Sequence, residues 1–172
     1  SKERCYPLRS SYLGHSYKNN QVEEFINTRV SKELKNNNNF NIEIFSIGDK
    51  LIPTEKDLLF FICELLTKGN VIGWFQGRME WGPRALGHRS IISDPRNSNM
   101  QEILNKKIKK RESFRPFAPS VLKEEVKDWF EMSYQSDNNV PFMMKVYPIK
   151  IDKRKLIPAV CHVDGTGRLQ TV

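Results

Sequence analysis

A capped helix followed directly by an apolar strand restricts the fold more than any other feature of this chain. Thr54 is a typical helix N-cap with Asp57 three residues later, and Gly69 follows the apolar stretch as a helix stop. The run VIGWFQG (71–77) then predicts a buried strand, and FNIEIFSIG (40–48) predicts a strand before the helix. A strand–helix–strand unit of this length indicates an α/β fold, and 172 residues suit one domain.

Apolar spacing predicts the remaining elements, and residues 1–19 are interpreted as a lead-in to a domain over 20–172. Met100, Ile103, Leu104 and Ile108 share one face of a predicted helix and are expected in the core. The predicted helices cover 20–35, 97–112 and 123–132, and the predicted strands lie within 114–122, 141–149, 156–165 and 166–172.

The net charge of +8, with a sequence pI near 9.4, favours anionic partners such as nucleotides, phosphates or nucleic acid. The chain is also rich in Asn and Lys, so a compositional bias is an alternative explanation. Position favours a site, because residues 78–115 hold ten Lys or Arg and only four carboxylates.

The cysteines and the hydropathy of the chain indicate the cellular compartment in which we expect it. Cys5, Cys63 and Cys161 show no metal-ligand spacing and no disulfide pattern, which fits a reducing cytoplasm. No leader pattern opens the chain, and the apolar run DLLFFICELL is too short to span a bilayer, so we expect no membrane partner.

The stretch GRMEWGPRALGHRS (77–90) carries three arginines on a glycine-punctuated loop after the predicted strand. Its glycine spacing matches neither a P-loop nor a dinucleotide fingerprint. Guanidinium groups suit phosphate oxygens, but Arg89 and Arg96 could instead pair with Glu80 and Asp94, so phosphate contact and ion pairing both remain open.

Two later blocks add candidates for anion binding. In KKIKKRESFR (106–115) most lysines are expected on a solvated helix face, with Lys107 and Arg111 on one side, while Arg111 and Arg115 lie beside the rigid PFAP sequence. In CHVDGTGRLQTV (161–172) His162 and Asp164 alternate along a predicted strand and Arg168 follows. Two ligands are too few to predict a metal site.

Many cationic groups and no serine or cysteine with a partnered base indicate phosphoryl or nucleotidyl transfer, with Mg²⁺ on the phosphates. Three blocks then carry a resemblance: VIGWFQGRMEWGPRALGHRSIISDPR, LNKKIKKRESFRPFAPSVL and PAVCHVDGTGRLQTV. They resemble, in order, the C-terminal domain of carbamoyltransferases of the nodulation and antibiotic-tailoring type. YLGHSY (12–17) adds a weaker match.

That resemblance implies a YrdC-like domain, with a twisted and mostly open sheet and flanking helices, which makes carbamoyl-adenylate from carbamoyl phosphate and ATP. It also implies that the chain is part of a larger two-domain enzyme, whose N-terminal actin-like ATPase-fold domain transfers the carbamoyl group to a hydroxyl. Cys161 stands where the family pattern leads us to expect Thr. The implied catalytic residues are Arg84, Lys109 and Arg111, and the implied substrate-binding residues are His88, Arg89, Arg115, Ser120, His162, Asp164 and Arg168.

Two other functions remain open at this stage. A basic α/β domain could bind the phosphate backbone of RNA, although the cations lie in glycine and proline loops and form no continuous stripe. A fragment that only docks onto its transferase partner is the third possibility. The sequence does not identify the hydroxyl acceptor.

Overall fold

The structure, a computed structural model, describes residues 10–30, 45, 47–132 and 139–172. It is a mixed α/β arrangement in which the described strands form three two-stranded sheets. The helices are α1 (Asn19–Phe25, continued as a π-helix over Ile26–Val30), α2 (Glu55–Thr67), α3 (Met100–Ile103, continued as a π-helix over Leu104–Ile108), α4 (Val126–Trp129, after a 3-10 turn over Lys123–Glu125) and α5 (Ile151–Arg154). The strands are β1 (Ile72–Phe75), β2 (Arg89–Ile92), β3 (Ser120–Val121), β4 (Val146–Pro148), β5 (Thr166–Arg168) and β6 (Gln170–Thr171).

Helix α2 begins as the sequence predicts. The Thr54 hydroxyl accepts a hydrogen bond from the Asp57 amide at 3.2 Å, and the Asp57 carboxylate accepts one from the Thr54 amide at 3.0 Å. Gly69 takes the left-handed conformation at φ 82° and ends the helix. The strand predicted over 40–48 lies largely outside the described residues, so the strand–helix–strand unit is confirmed only from α2 onward.

The three sheets bring distant parts of the chain together. β1 and β2 pair antiparallel, with Ile72 opposite Ile92 and Phe75 opposite Arg89. The connecting segment 76–88, here called the arginine loop, therefore leaves and re-enters the same sheet. β4 and β5 also pair antiparallel, whereas β3 and β6 are parallel. These pairings place the predicted strands within 71–77, 114–122, 141–149 and 166–172.

Three expectations about strands and core residues are wrong. The predicted strand within 71–77 forms but is not buried, because its residues are at most half-buried and Phe75 is 52% exposed. Residues 156–165 form a 3-10 turn over Pro158–Val160 and then a tight turn, in place of the predicted strand. Pro158 cannot donate to a strand ladder, and Gly165 adopts φ 80°. Ile108 is 46% exposed, because α3 widens into a π-helix and the wider turn rotates Ile108 away from the core.

The core lies beside β5 and β6 and has two parts. The larger cluster packs α4, β4 and the end of the chain around residues of which Phe130, Ile149 and Leu169 are almost fully buried. The smaller cluster joins the predicted helix residues Met100 and Leu104 to Ala159, the middle residue of the 3-10 turn. Phe117 packs against both clusters and so connects the part of the core next to Leu169 with the part formed by Met100 and Leu104.

Candidate functional site

A single buried carboxylate organises the arginine loop. Glu80 is 7% exposed, and its Oε1 accepts hydrogen bonds from the backbone amides of Leu86 at 2.6 Å, His88 at 2.9 Å and Arg89 at 3.3 Å. Burial alone would raise the pKa of Glu80, but these amides outweigh it and hold the pKa below its usual value. Glu80 is therefore a charged anchor for the loop backbone, and it does not form the ion pair with Arg89 that the sequence left open.

The lead-in segment packs along the arginine loop and fixes it from the other side. Backbone hydrogen bonds join Gly14 to Met79 in an extended pairing, and the Tyr12 hydroxyl donates to the Leu86 carbonyl at 2.8 Å. A side chain at position 14 would collide with Met79, which explains the glycine. The same Leu86 carbonyl accepts from Gln170 Nε2 at 3.0 Å, so β6 also holds the loop.

Three arginines predicted as site residues interact electrostatically: Arg84 of the arginine loop, Arg111 and Arg168. They are here called the arginine triad. Burial lowers the pKa of Arg168, and the positive charges of Arg84 and Arg111 lower it further. The Nε atoms of Arg84 and Arg168 are buried and have no hydrogen-bond partner among the described residues. No member of the triad forms an ion pair within the described part of the chain. The triad is a cluster of positive charge without an acidic counter-ion among the described residues.

The chain positions Arg111 by ending a helix sharply. Lys110 takes a left-handed conformation at φ 49°, and the Arg111 amide turns back to donate to the Asn105 carbonyl at 2.9 Å. Arg111 Nε donates to Asn105 Oδ1 at 2.7 Å, and its guanidinium lies 4.9 Å from the centre of the Phe117 ring. Arg111 therefore lies past the end of the helix and does not share a helical face with Lys107 as the sequence predicted.

His162 and Asp164 come together through Thr166, although the strand expected to align them is a turn. The His162 Nδ1 atom lies 3.1 Å from the Thr166 hydroxyl, which donates to Asp164 Oδ1 at 2.7 Å. Burial lowers the pKa of His162; the charge of Asp164 opposes this shift and that of Arg168 adds to it. His162 Nε2 is buried without a partner among the described residues. His162 thus adjoins the triad through Arg168.

Other candidates from the loop have roles within the fold. Arg89 stacks on Phe75, with its guanidinium carbon 3.6 Å from the ring centre, and donates to three backbone carbonyls, including Gln76 at 2.6 Å. The His88 ring stacks on Tyr12 at 3.6 Å, and its Nδ1 bonds the Arg78 carbonyl at 2.6 Å. These contacts account for the polar groups of Arg89 inside the hairpin.

The second basic block is only partly paired at the surface. Arg115 forms an exposed ion pair with Glu112 at 2.8 Å, and Lys109 is exposed with no side-chain partner in the described ranges. Arg96 pairs with Asp94 at 2.6 Å, one of the ion pairs that the sequence left open. Ser120 donates to Gln170 Oε1 at 3.4 Å and lines a cleft of about 320 Å³ that contains none of the triad arginines.

Four residues that shape the site carried no prediction of this role. The sequence predicts Glu80 only as an arginine partner, and Tyr12, Asn105 and Gln170 lie in blocks that carry the resemblance without a predicted role of their own. A signal existed for Glu80, because it is the one carboxylate among the polar residues of 77–90. Nothing in the local sequence shows that Gln170 reaches Leu86, which is 84 positions away.

Metal and membrane features are both absent from the described part of the chain. Its His, Cys, Asp and Glu side chains form no group of three that could hold a metal ion. In the same residues, no helix has the length and apolar character needed to cross a bilayer. Cys63 and Cys161 are free thiols, and Cys5 lies outside the described residues.

Comparison with known proteins gives a consistent result for the same region. The family described as Carbamoyltransferase C-terminus matches residues 63–172, which include the whole arginine triad. The chain is 54% identical over 110 residues to Nodulation protein NolNO of Sinorhizobium fredii and 46% identical over 121 residues to Nodulation protein NolO of Bradyrhizobium diazoefficiens. It is also 40% identical over 185 residues to an uncharacterized protein of Synechocystis sp..

The alignments cover much of this chain but little of the relatives. They include 64% of the chain and 16% of NolNO, 70% of the chain and 22% of NolO, and 96% of the chain and 27% of the Synechocystis protein. The chain therefore spans between about a sixth and a quarter of the length of these relatives. On the family match over most of its length, the chain belongs to the carbamoyltransferase C-terminal family.

Proposed function

We propose that the arginine triad binds the phosphate groups of carbamoyl phosphate and ATP, and that the chain forms carbamoyl-adenylate in a YrdC-like domain. The observation that carries this proposal is the convergence of Arg84, Arg111 and Arg168 with no counter-ion among the described residues. Membership of the carbamoyltransferase C-terminal family supports the carbamoyl chemistry.

Electrostatics explains why such a cluster suits an anion. Like charges held close together destabilise one another, and burial of a guanidinium adds a desolvation cost. A phosphate placed among the three groups removes both penalties, and a guanidinium fork can donate two parallel hydrogen bonds to its oxygens. The unpartnered Nε atoms of Arg84 and Arg168 supply donors for such bonds.

The proposed roles follow from position. Arg84 and Arg168 hold the phosphate of carbamoyl phosphate, whereas Arg111, with the exposed Lys109 beside it, contacts the triphosphate of ATP. Arg115 is exposed near the same turn and can join the nucleotide by exchanging its partner Glu112. The chain stabilises negative charge on the transferring groups, which is the dominant contribution in phosphoryl and nucleotidyl transfer.

The overall reaction balances when one water is consumed. Water cleaves the P–O bond of carbamoyl phosphate and releases inorganic phosphate, and a carbamate oxygen then displaces pyrophosphate from the α-phosphorus of ATP. Magnesium would be held by the nucleotide phosphates and water, because the described side chains provide no carboxylate cluster for it. The transfer to a hydroxyl acceptor would take place on an N-terminal actin-like partner domain, in the cytoplasm.

Titration calorimetry of the intact protein with ATP and with carbamoyl phosphate tests the proposal. Arg111→Ala should weaken ATP binding by about 1.5–3 kcal/mol, the usual value of a charge-assisted hydrogen bond. Arg96→Ala is the matched control, because Arg96 is paired with Asp94 and lies outside the triad. Equal ATP affinity in wild type and Arg111→Ala would refute the assignment. RNA binding with a steep salt dependence and no response to ATP would favour the nucleic-acid alternative.

A further inference from the structure

Thr166 connects a histidine to a carboxylate at the edge of the arginine triad. Its hydroxyl donates to Asp164 Oδ1 at 2.7 Å and lies 3.1 Å from His162 Nδ1. Backbone hydrogen bonds close the turn that holds the three residues, since the His162 amide donates to the Thr166 carbonyl at 2.8 Å. The geometry of the His162 ring is thus fixed by its own turn.

Counting hydrogens assigns the tautomer of His162. A hydroxyl has one hydrogen, and an ionised carboxylate can only accept. Hydrogen bonds from the Thr166 side chain and amide lower the pKa of Asp164, so this carboxyl is ionised at neutral pH and takes the Thr166 hydrogen. The Thr166 oxygen can then only accept from the ring. His162 Nδ1 must carry the ring hydrogen, and Nε2 has a bare lone pair.

The surroundings of Nε2 leave that lone pair unsatisfied within the described part of the chain. The atom is buried and has no partner among the described residues. Burial, with a smaller contribution from the charge of Arg168, lowers the pKa of His162, so the ring is neutral at physiological pH. The neighbouring guanidinium group of Arg168 is a donor only. His162 Nε2 is therefore a hydrogen-bond acceptor at the edge of a site that otherwise donates.

A ligand that satisfies such a site needs anionic oxygens and a nearby N–H group. We infer that His162 Nε2 accepts a hydrogen bond from the amide of the carbamoyl group and thereby selects carbamoyl phosphate over acyl phosphates. The inference rests on the function proposed above and adds the specificity for the carbamoyl group. In carbamoyl phosphate the nitrogen is three bonds from phosphorus, whereas the amino group of adenine is far from the phosphates that the triad would hold.

Two stable phosphonates differ only at the group that would face His162 Nε2. Phosphonoacetamide carries an NH₂ group where acetonylphosphonate carries a methyl group, and neither loses its phosphonate by hydrolysis. Calorimetry of the intact protein should show phosphonoacetamide binding roughly 10- to 100-fold more tightly, because a methyl group leaves the buried lone pair unsatisfied. Equal affinity for the two compounds would overturn the inference.

Three variants locate the preference at His162. His162→Phe keeps a ring but removes the acceptor, so the ratio of the two affinities should fall to about one. Thr166→Val removes the hydroxyl that fixes the tautomer and should lower the ratio, whereas Thr166→Ser keeps the hydroxyl and should retain it. An unchanged ratio in His162→Phe, or equal ratios in the two Thr166 variants, would contradict the assigned role.

Further arms separate this inference from the function on which it rests. ATP and ITP differ at the purine amino group. The ratio of their affinities should be the same in wild type and His162→Phe. A change confined to that ratio would place His162 at the base and overturn the carbamoyl assignment. Phosphonate binding that depends on Arg168 but shows no preference for the amide would refute only the role of His162. No binding of ATP, phosphate or either phosphonate would refute the proposed function and this inference together.

Discussion

The arginine loop (76–88) and the segment 106–115 both carry basic residues, but their carboxylates have different partners. In the segment, exposed ion pairs join Lys106 to Glu102 at 2.5 Å and Arg115 to Glu112 at 2.8 Å. In the loop, the buried carboxylate of Glu80 accepts three backbone amides and pairs with no guanidinium. Arg84 has no counter-ion among the described residues.

This difference shows that the number of cations does not locate an anion site. The segment holds more basic residues than the loop, yet it contributes only Arg111 to the triad, and Arg111 is the residue that a turn draws onto Asn105 and Phe117. What distinguishes the triad arginines is partial burial together with the lack of a carboxylate partner among the described residues. The experiments below test that distinction.

Removal of the Glu80 carboxylate should have the largest effect on stability. Glu80→Ala leaves three loop amides without an acceptor and should lower the free energy of unfolding by about 3 kcal/mol. Glu80→Gln keeps an acceptor oxygen and should cost less. Urea denaturation measures both. Glu112→Ala is the matched control in the segment and should cost no more than about 0.5 kcal/mol, because its pair is exposed. Similar losses for Glu80→Ala and Glu112→Ala would remove the contrast.

We expect the triad to lower the stability of the fold and to raise its affinity for anions. Arg168→Met removes a half-buried charge that Arg84 and Arg111 repel, so the free energy of unfolding should stay level or rise. The same variant should weaken phosphate binding by about 1.5–3 kcal/mol. Denaturation measures the change in the free energy of unfolding, and calorimetry on the same preparation measures the change in phosphate affinity. Arg115→Met, in the segment, should change phosphate affinity less. A destabilised Arg168→Met protein with unchanged phosphate affinity would identify Arg168 as a purely structural residue.

Local patterns in the sequence predicted the parts of the fold that depend on local chemistry. The Thr54 cap, the Gly69 stop and the apolar strand after them are confirmed, because capping and turn geometry involve residues a few positions apart. The strand expected at 156–165 does not form, because Pro158 cannot donate to a strand ladder and the chain turns tightly at Gly165. The prediction that Ile108 lies in the core is wrong because a spacing of 3.6 residues per turn does not describe a π-helix.

The candidate site was predictable as a set of residues but not as an arrangement. Arg84, Arg111 and Arg168 were all candidates, yet so were Arg89 and His88, which the structure binds into the hairpin and against Tyr12. Which arginine stays free depends on contacts between residues far apart in the chain. Such contacts leave no periodic signal in a single sequence.

Acid should weaken the loop through Glu80 with a definite sign. Its folded-state pKa lies below the ordinary value of 4.5, so its contribution is present above that pH and is lost as the pH falls through the lower folded value. The loss is at most about 1.4 kcal/mol per pH unit for one group. Other carboxyls, such as Asp94, have lowered pKa values too, so the measurement is the difference between wild type and Glu80→Gln. That difference should shrink in acid, and a constant difference would contradict the charged anchor.

The surface pair of the segment gives the smallest expected effect and the strictest check of the contrast. Lys106 and Glu102 are both about three-fifths exposed, so water competes for their charges and Lys106→Ala should lower the free energy of unfolding by no more than about 0.5 kcal/mol. Phosphate affinity should stay within twofold of wild type at physiological salt, because an exposed cation outside the triad is screened over about 8 Å. If Lys106→Ala weakens phosphate binding as much as Arg168→Met does, diffuse surface charge and not the buried triad attracts the anion.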